Sequence, residues 1–491
     1  MAPCLYVAAY NIGLDYEPVI GLEVHVQLST ATKIFCGCPT GFGAPPNTNV
    51  CPVCLGLPGA LPVLNRAAVE LAVRAALALG CRIRPQSRFA RKNYFYPDLP
   101  KGYQISQYDE PFAEQGFVEI PSAGATRCIG ITRVHMEDDA GKSIHDGFRD
   151  SDRCSYVDLN RSGTPLIEIV SEPDMRSSDE AYAYLTELKQ TLQFVEVSTC
   201  DMEKGHLRCD ANVSVRPRGA EKFGTKAEVK NLNSFRFLKQ ALDYEISRQV
   251  AVLESGGRVA QETRLYNPDV GETFSMRSKE DAHDYRYFPE PDLTPLHIDQ
   301  AWIENLQAAM PELPAQKRAR FISEFGLREY DAGVLTQSRP LSDYFEAAAA
   351  ASGDPKSAAN WIMGDLMALL NAANREIADS PVGAAHLGEL VKMVGKGELS
   401  RKLAKEVFPK MFATGSSAAA IVQAEGLRQI SDSGALESII DGVIAGNPKQ
   451  VDQFRGGKTT VMNFLVGQVM KATRGQADVA IVTEILKQKL G

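Results

Sequence analysis

The chain has 491 residues, of which 44% are hydrophobic and 23% charged, a composition that is typical of globular proteins and excludes wholesale disorder. This length predicts about two to four domains and is enough to bury a large core without disulfides. The formal net charge of −8 argues against a strongly basic protein that coats nucleic acid, although a local basic patch is compatible with it.

The N-terminal segment, residues 1–15, lacks the basic region and the cleavage site of a signal peptide. No apolar run in the chain is as long as a membrane span, which needs about 18 residues. We therefore expect a cytoplasmic protein without membrane contact, in which the ten cysteines are thiols or metal ligands and not disulfides.

Residues up to about 295 predict a mainly antiparallel sheet, because short alternating runs of polar and apolar residues are separated by Gly, Pro, Asn and Asp. Three helices interrupt this pattern. We expect them at Asn65–Leu79, at Asp179–Leu192 after the capping box of Ser177 and Glu180, and at Phe235–Leu253.

From about residue 296 onward, helical patterns replace the alternation. The chain is therefore expected to be an α+β protein. Its predicted parts are a mainly antiparallel sheet domain at 16–295, an all-α helical domain at 296–410 and a small helical tail at 411–491.

Four of the predicted strands carry an unusual polar face. In Leu22–Leu28 the side chains of Glu23 and His25 point away from the apolar face, because successive side chains of a strand alternate. A merely solvated antiparallel sheet would also show one polar face, and that is the simpler interpretation of any single strand. The other three strands are Arg133–Asp139, with His135 and Glu137 on its polar face, His206–Arg216 and Thr225–Lys230.

The composition of this face favours a metal and phosphate site. Glu23, Asp138 and Asp210, with His25, could supply one or two sites for Mg²⁺, which takes oxygen ligands and leaves room for substrate phosphates. Since histidine is an atypical ligand of Mg²⁺, Mn²⁺ is a plausible substitute. Both Gly-Lys-Ser/Thr runs of the chain lack the first glycine of a P-loop, so a nucleotide would need another kind of site.

The segment 36–54 predicts a structural zinc site. One residue separates Cys36 from Cys38, two residues separate Cys51 from Cys54, and both pairs lie in turns rich in Gly and Pro. Two close pairs suit tetrahedral Zn²⁺, and four thiolates leave no open position for catalysis, which argues against a zinc hydrolase. Four unrelated thiols are the alternative.

Two segments, Arg91–Gln104 and His283–Pro291, interleave aromatic and basic residues. Aromatic rings beside cations suit unstacked nucleotides, whereas a packed loop with a charged rim is the simpler alternative. The run Arg455–Arg474 is either a segment that contacts an RNA backbone or an ordinary solvated helix. The chain shows no amidase signature, so any ammonia from glutamine would have to come from another chain.

These motifs together resemble the family of B subunits of glutamyl/aspartyl-tRNA amidotransferases (GatB of GatCAB). The resemblance covers nearly the whole chain from about Tyr16 onward, and the first 15 residues have no counterpart. The matching runs are VIGLEVHVQL at 19–28, RKNYFYPDLPKGYQISQ at 91–107, HMEDDAGKS at 135–143, VDLNRSGTPLIEIVSEPD at 157–174, LRCDANVSVRP at 207–217, GTKAEVKNLNS at 224–234, DYRYFPEPDL at 284–293 and FLVGQVMKATRGQA at 464–477.

The resemblance implies a cradle domain, a helical domain and a tRNA-binding tail like the small protein YqeY. It implies ATP-dependent transamidation of misacylated Glu-tRNA(Gln), Asp-tRNA(Asn) or both. In this reaction the chain phosphorylates the side-chain carboxylate, and ammonia from a partner amidase displaces the phosphate. The implied partners are that amidase, as the A subunit, and the small C subunit in a heterotrimer. The alternative is a non-catalytic scaffold that binds tRNA.

The resemblance also implies roles for individual residues. Glu23, His25 and Asp138 fall at catalytic metal ligands, and Glu137 is adjacent, with the shorter Asp at the second place of the pair. ATP and Mg²⁺ are the implied substrate and cofactor, and structural Zn²⁺ is expected because all four cysteines are kept. The further candidates are Asp210 and Asn212 for a second metal or the nucleotide, and Lys142, Arg208 and Lys230 for phosphate contacts.

Overall fold

The computed structural model describes residues 15–122, 124–145, 147, 149–151, 153–278, 285–426, 433–473, 477 and 479–491. Residues 1–14 of the unmatched N-terminal segment, His283 of the second aromatic segment and Arg474 of the C-terminal run lie outside these ranges. The chain divides into two units, one that ends at Leu313 and one that begins at Pro314.

Strands dominate the first unit. They follow from the alternation of polar and apolar residues, which lets each strand bury one face and leave the other to polar groups. The strands are β1 (Tyr16–Gln27), β2 (Arg82–Ile83), β3 (Gln86–Ser87), β4 (Ala90–Asn93), β5 (Tyr103–Ser106), β6 (Ala113–Ser122), β7 (Ala125–Asp138), β8 (Lys142–Ile144), β9 (Tyr156–Asp158), β10 (Pro165–Ser171), β11 (Leu207–Pro217), β12 (Ala227–Lys230), β13 (Glu262–Asn267), β14 (Glu272–Ser278), β15 (Phe288–Pro289) and β16 (Leu296–His297).

Twelve of these strands form one sheet, in which β14-β13-β12-β11-β1-β10-β7-β5-β4-β15 are successive neighbours, and β6 pairs with β7 and β2. The pairs are antiparallel except for β12 with β13. Two small two-stranded sheets, β16 with β3 and β8 with β9, lie apart from it. The predicted fold class, a mainly antiparallel sheet followed by helices, is confirmed.

The three helices expected in this unit are confirmed as α1 (Arg66–Ala78), α2 (Ser178–Phe194) and α3 (Phe235–Glu254). A polar side chain caps each N-terminus: Asn65, Ser177 and Ser234 accept hydrogen bonds from the backbone N–H groups of Ala67, Glu180 and Phe237. Such caps satisfy donors that the helix itself leaves unpaired. A fourth helix, α4 (Gln300–Ala308), follows the sheet.

The core of the first unit lies between the three helices and one face of the sheet. Leu22, Val24 and Val26 of β1 are buried there together with Ala72 of α1 and Leu185 of α2. The helices therefore cover the apolar face of β1, and its polar face lies on the other side of the sheet.

Within the described residues the second unit is helical. Its two hydrophobic clusters run from Phe321 to Val422 and from Leu436 to Leu490. The helices are α5 (Pro314–Ser323), α6 (Glu329–Leu335), α7 (Arg339–Ser352), α8 (Pro355–Trp361), α9 (Met367–Ala372), α10 (Ala384–Gly395), α11 (Arg401–Thr414), α12 (Ala418–Glu425), α13 (Ser433–Gly446), α14 (Pro448–Arg455), α15 (Val461–Ala472) and α16 (Val479–Leu490), with a π-helical turn at Ile362–Leu366 and a 3₁₀ turn at Ile377–Asp379.

The limits of the units differ in detail from the expected domain limits. Helix α4 packs Trp302, Ile303 and Leu306 against the core of the first unit, so the sheet unit extends past residue 295. The expected limit near 410 falls within α11, and the separation of the tail stays a prediction. Over the described part of the chain we find no helix that combines the length and the apolar character needed to cross a bilayer.

Candidate functional site

The polar face of β1 is the starting point of the site. Glu23 and His25 are half-buried on this face, whereas Val24 between them is fully buried in the core. This is the alternation that the sequence predicts for the strand. The two side chains therefore point out of the sheet on the side opposite to the helices.

Antiparallel register brings residues from two neighbouring strands beside this pair. Across β1 and β11, Glu23 lies opposite Asp210 and His25 opposite Arg208. On the other side of β1, His25 lies opposite Glu168 of β10. Directly opposite residues of paired strands lie within contact distance, so the register gathers groups that are far apart in the chain.

One cluster consists of Glu23, His25 and Glu168. The His25 Nε2 atom lies 3.7 Å from Glu23 Oε1 and 3.4 Å from Glu168 Oε2. One potential ligand atom from each residue lies within 4.8 Å of the others, which is close enough for all three to hold one metal ion.

A second cluster adjoins the first and shares Glu168. His135 lies opposite Glu168 in the pairing of β10 with β7. The His135 Nε2 atom is 3.1 Å from Glu137 Oε1 and 3.7 Å from Glu168 Oε2, and all three side chains are buried. Glu168 is therefore a shared carboxylate between two histidine–glutamate pairs.

Several carboxylates lie close together at the first cluster. Burial, together with the nearby carboxylates of Glu168 and Asp210, raises the pKa of Glu23. Burial of His25 opposes its protonation, but the hydrogen bond and the charge of Glu168 outweigh this effect and raise the pKa of His25 to about 9. A bound divalent cation would relieve the repulsion between the carboxylates, since an opposite charge favours the ionised form.

Glu168 is the main candidate site residue that the sequence pattern does not indicate, and that pattern places His135 on the polar face without a role. Glu168 stands in β10, whose sequence PLIEIVS contains no other charged residue and is buried apart from the half-buried Val170. A single carboxylate within such a run is the signal that could have identified it, because an unpaired buried charge is costly and points to a partner or a metal.

Asp210 lies beside the first cluster, opposite Glu23 in the pairing of β1 with β11. Its carboxylate accepts a hydrogen bond from Lys230 Nζ at 2.5 Å, and the same ammonium lies 2.9 Å from Glu228 Oε1. Asn212 lies two residues further along β11, opposite Gly21 and Glu228. Lys230 is thus adjacent to the site but is already paired with two carboxylates.

The other two residues expected to contact phosphate, Arg208 and Lys142, lie in different sheets. Arg208 is on the polar face, and its Nη2 atom donates to Asp139 Oδ1 at 2.9 Å. Gln27 also donates to Asp139, at 2.7 Å. Lys142 is exposed in β8, which belongs to a separate two-stranded sheet with β9. The structure does not bring Lys142 into either cluster.

Asp138 is not grouped with Glu23 and His25. It follows Glu137 in β7, so alternation directs it to the opposite face of the sheet. There it is fully buried, pairs with Lys101 Nζ and accepts a hydrogen bond from the backbone N–H of Ile105 at 2.7 Å. Of the five expected metal ligands, Glu23, His25 and Glu137 lie in the two clusters, whereas Asp138 and Asp210 belong to neither cluster.

The four cysteines of segment 36–54 form a compact cluster. Their Sγ atoms all lie within 4.8 Å of one another, and those of Cys51 and Cys54 are 3.9 Å apart. Tetrahedral zinc with Zn–S bonds of ~2.3 Å separates its sulfur atoms by ~3.8 Å, so the cluster fits this ion. The hydrogen bond from the Cys36 thiol, with the positive charge of Lys33 nearby, lowers the pKa of Cys54 to about 4.

The two aromatic segments lie side by side. Asn93 donates its backbone N–H to the Tyr285 carbonyl at 2.8 Å, and the rings of Tyr94 and Tyr285 meet edge to face at 6.0 Å. Arg91 donates two hydrogen bonds to the buried Glu290, at 2.7 and 2.8 Å. The charge of this arginine is therefore paired within the protein, whereas Phe95 and Tyr96 of the same segment are exposed.

The chain is similar to known proteins over nearly its whole length. Residues 18–304 match the family model of the GatB/GatE catalytic domain, and residues 343–490 match that of the GatB domain. The B subunit of the aspartyl/glutamyl-tRNA(Asn/Gln) amidotransferase of Geobacter sulfurreducens is 56% identical over 477 residues, or 97% of this chain and 100% of that protein. The B subunits of the same enzyme from Moorella thermoacetica and Carboxydothermus hydrogenoformans are 57% and 54% identical, each over 97% of this chain and 100% and 99% of their own lengths.

Proposed function

The chain belongs to the GatB family of tRNA amidotransferase B subunits, and from this premise we propose that it acts in the amidation of misacylated Glu-tRNA(Gln), Asp-tRNA(Asn) or both. The products would be Gln-tRNA(Gln) and Asn-tRNA(Asn). The observation that carries the proposal is the similarity over 97% of the chain to proteins of that family. The carboxylate and histidine clusters on the polar face of the sheet supply the site.

The proposed chemistry activates a carboxylate that ammonia cannot attack directly. An oxygen of the side-chain carboxylate attacks the γ-phosphorus of ATP, the bond from that phosphorus to the bridging oxygen breaks, and ADP leaves with the electron pair. The lone pair of ammonia then attacks the acyl carbon, the bond from that carbon to the phosphate oxygen breaks, and phosphate leaves. The nitrogen loses one proton to the surroundings and becomes the amide.

Glu23, His25 and Glu168 would hold the divalent cation of this reaction, with Asp210 beside them. Mg²⁺ supplies positive charge that neutralises the phosphate oxygens and orients the phosphoryl group. Because the cluster includes an imidazole, Mn²⁺ is a suitable substitute. Asn212 and Lys230 border this site, and we assign them, with Arg208, to its nucleotide side.

The four cysteines would hold a structural zinc ion. Four thiolates complete the tetrahedral shell, so the ion would connect the turns of residues 36–54 and would have no position for a substrate. The sulfur separations support this role.

The proposed assembly is a cytoplasmic heterotrimer in which the A subunit is an amidase that releases ammonia from glutamine, and the small C subunit is the third member. The relatives are named as one lettered subunit of an enzyme, which supports a complex of several chains. We assign the unit that ends at Leu313 to the catalytic cradle, and we assign the tRNA-contacting tail to the C-terminal part of the helical unit that begins at Pro314.

The decisive experiment reconstitutes the complex and follows both ADP release and amide formation on each misacylated tRNA. Glu23→Gln should abolish both, because the carboxylate that binds the cation is lost, while glutamine hydrolysis by the partner reports an intact assembly. The control is Glu119→Gln, an exposed residue of β6. Full amidation by Glu23→Gln, or amidation without ADP release by the wild type, would favour the non-catalytic scaffold.

A second experiment addresses the tail. Lys458 and Lys471 are exposed, so their replacement leaves the hydrophobic cluster of the tail in place. Lys458→Glu with Lys471→Glu should raise the Michaelis constant for tRNA, since phosphate contacts dominate such binding, and spare that for glutamine. An unchanged constant for tRNA would remove the tail from the tRNA-binding surface.

A further inference from the structure

Arg133 lies beside the two metal-binding clusters and has no role in the site described so far. It stands two residues before His135 in β7, so both side chains leave the same face of the sheet. Its Nη2 atom is 3.5 Å from Glu168 Oε1, while the other oxygen of that carboxylate is 3.4 Å from His25 Nε2. The guanidinium thus adjoins the carboxylate that the two clusters share.

The hydrogen-bonding capacity of Arg133 is largely unused. A guanidinium has five N–H donors in a fixed fork. Within the described residues, the Arg133 side chain makes one hydrogen bond, the long contact to Glu168. The buried Nε atom of Arg133 has no partner there. Leaving a charged donor unsatisfied in this way is costly unless a ligand completes it.

Other arginines and lysines of the sheet already donate to carboxylates of the protein. Arg208 donates to Asp139 at 2.9 Å, and Lys230 lies within 2.9 Å of both Asp210 and Glu228. Arg127, on the same strand as Arg133, makes two hydrogen bonds to the Glu180 carboxylate and one to a backbone carbonyl. Among these cations, Arg133 is therefore the one with the most donors left for an incoming anion.

An aromatic ring holds this guanidinium in place. The Arg133 Cζ atom lies 4.5 Å from the centre of the Tyr108 ring, a distance at which a cation is attracted to the ring face. Tyr108 is in turn stacked on Tyr287, with ring centres 5.2 Å apart, and meets the ring of His135 at a right angle. Tyr108 is 45% exposed, so the arrangement is open to a ligand from solvent.

We propose that Arg133 binds the terminal phosphate of the ATP substrate, and that Tyr108 positions its guanidinium for this contact. The proposal rests on the proposed function. The planar fork of an arginine matches two oxygens of a phosphoryl group, and its charge stabilises the negative charge of these oxygens while the bond to ADP breaks. Arg133 is a catalytic residue in this account, and Tyr108 is a positioning residue.

The test measures ADP release by the reconstituted complex with misacylated tRNA. Arg133→Met should lower the turnover number of this step roughly 100-fold or more, as the loss of a charge-stabilising donor does. Arg133→Lys should recover only part of the loss, because an ammonium keeps the charge but not the fork. The matched control, Arg82→Met, removes an arginine whose side chain is 65% exposed and should match the wild type.

Variants of Tyr108 distinguish a positioning role of this residue from a role in folding. Tyr108→Phe keeps the ring face and should retain activity within about threefold, whereas Tyr108→Leu should show most of the defect of Arg133→Met, since the ring attraction is lost. Thermal melting of each variant reports folding. If Arg133→Met does not fold, Arg133→Lys decides the question.

Wild-type rates in the folded Arg133 variants, or equal loss in Tyr108→Phe and Tyr108→Leu, would overturn the assignment. Absence of ATP-dependent ADP release from the wild-type complex would instead overturn the proposed function, so the two failures are distinguishable.

Discussion

The ammonium of Lys101 and the carboxylate of Asp138 form an ion pair that is buried on the face of β7 opposite to Glu137. Both side chains are almost completely removed from solvent, at 7% and 0% exposure. Neighbouring residues of one strand, Glu137 and Asp138, therefore serve two different environments. The first lies in a cluster whose geometry suits a metal ion, and the second is paired with a lysine.

We predict that Asp138→Asn lowers the free energy of unfolding of the chain by roughly 3–5 kcal/mol, because Lys101 would be left buried without its counter-charge. Urea denaturation measures this change. Asp179→Asn, which removes one partner of an exposed pair with Lys239, should cost at most about 1 kcal/mol. The affinity for Mn²⁺ should be unchanged in Asp138→Asn. Loss of Mn²⁺ binding in this variant would show that Asp138 is a metal ligand.

We predict that Glu168→Gln weakens the binding of Mn²⁺ to the chain about 10- to 100-fold or more, because the carboxylate shared by His25 and His135 loses its charge. Titration calorimetry with Mn²⁺ alone measures the change without any turnover. Glu172→Gln, an exposed residue just after the same strand, is the control. Equal affinities of the two variants would exclude Glu168 as a ligand.

We predict that Cys51→Ser lowers the zinc content of the purified chain and its melting temperature together, because a structural metal contributes its binding free energy to folding. Atomic absorption and calorimetry measure the two quantities. Cys128→Ser removes an exposed thiol outside the cluster and should change neither. A full complement of zinc in Cys51→Ser would contradict the four-thiolate site.

We predict that Lys33→Met weakens zinc binding about tenfold while the four cysteines remain in place. Lys33 is fully buried, and its Nζ atom donates to the Asn49 carbonyl at 2.7 Å, so its charge is held beside the cysteine loops. It partly offsets the negative charge that the thiolates bring together. Competition with a chelator measures the affinity, and Lys226→Met, at an exposed site, is the control. An unchanged affinity would assign Lys33 to loop packing alone.

Local features of the chain could be predicted because they depend on local rules. The capping box of Ser177 and Glu180 marks the true start of α2, and the two-residue period of Leu22–Leu28 separates the buried side chains from the polar face. The spacing of the cysteines was also sufficient to anticipate their cluster.

The composition of the two histidine–glutamate clusters depends instead on strand pairing. Glu23 and Asp210 are far apart in the chain, and only the register of β1 with β11 makes them neighbours. Glu168 was overlooked because its strand is buried and its pattern is that of core. Asp138 was expected among the ligands from the resemblance, although alternation along β7 already places it on the other face, and the structure agrees with the alternation.

Strand β1 alternates without interruption between core and site from Leu22 to Gln27, and this has a consequence for how the protein finds its fold. A slip of one residue against β11 would push Glu23 and His25 beneath the helices and turn Val24 and Val26 toward water. Charged groups without partners would then occupy the interior. The polar side chains of the candidate site thus destabilise the mispaired forms of the protein. A chain that folds with the correct register of β1 therefore also has Glu23 and His25 on the polar face.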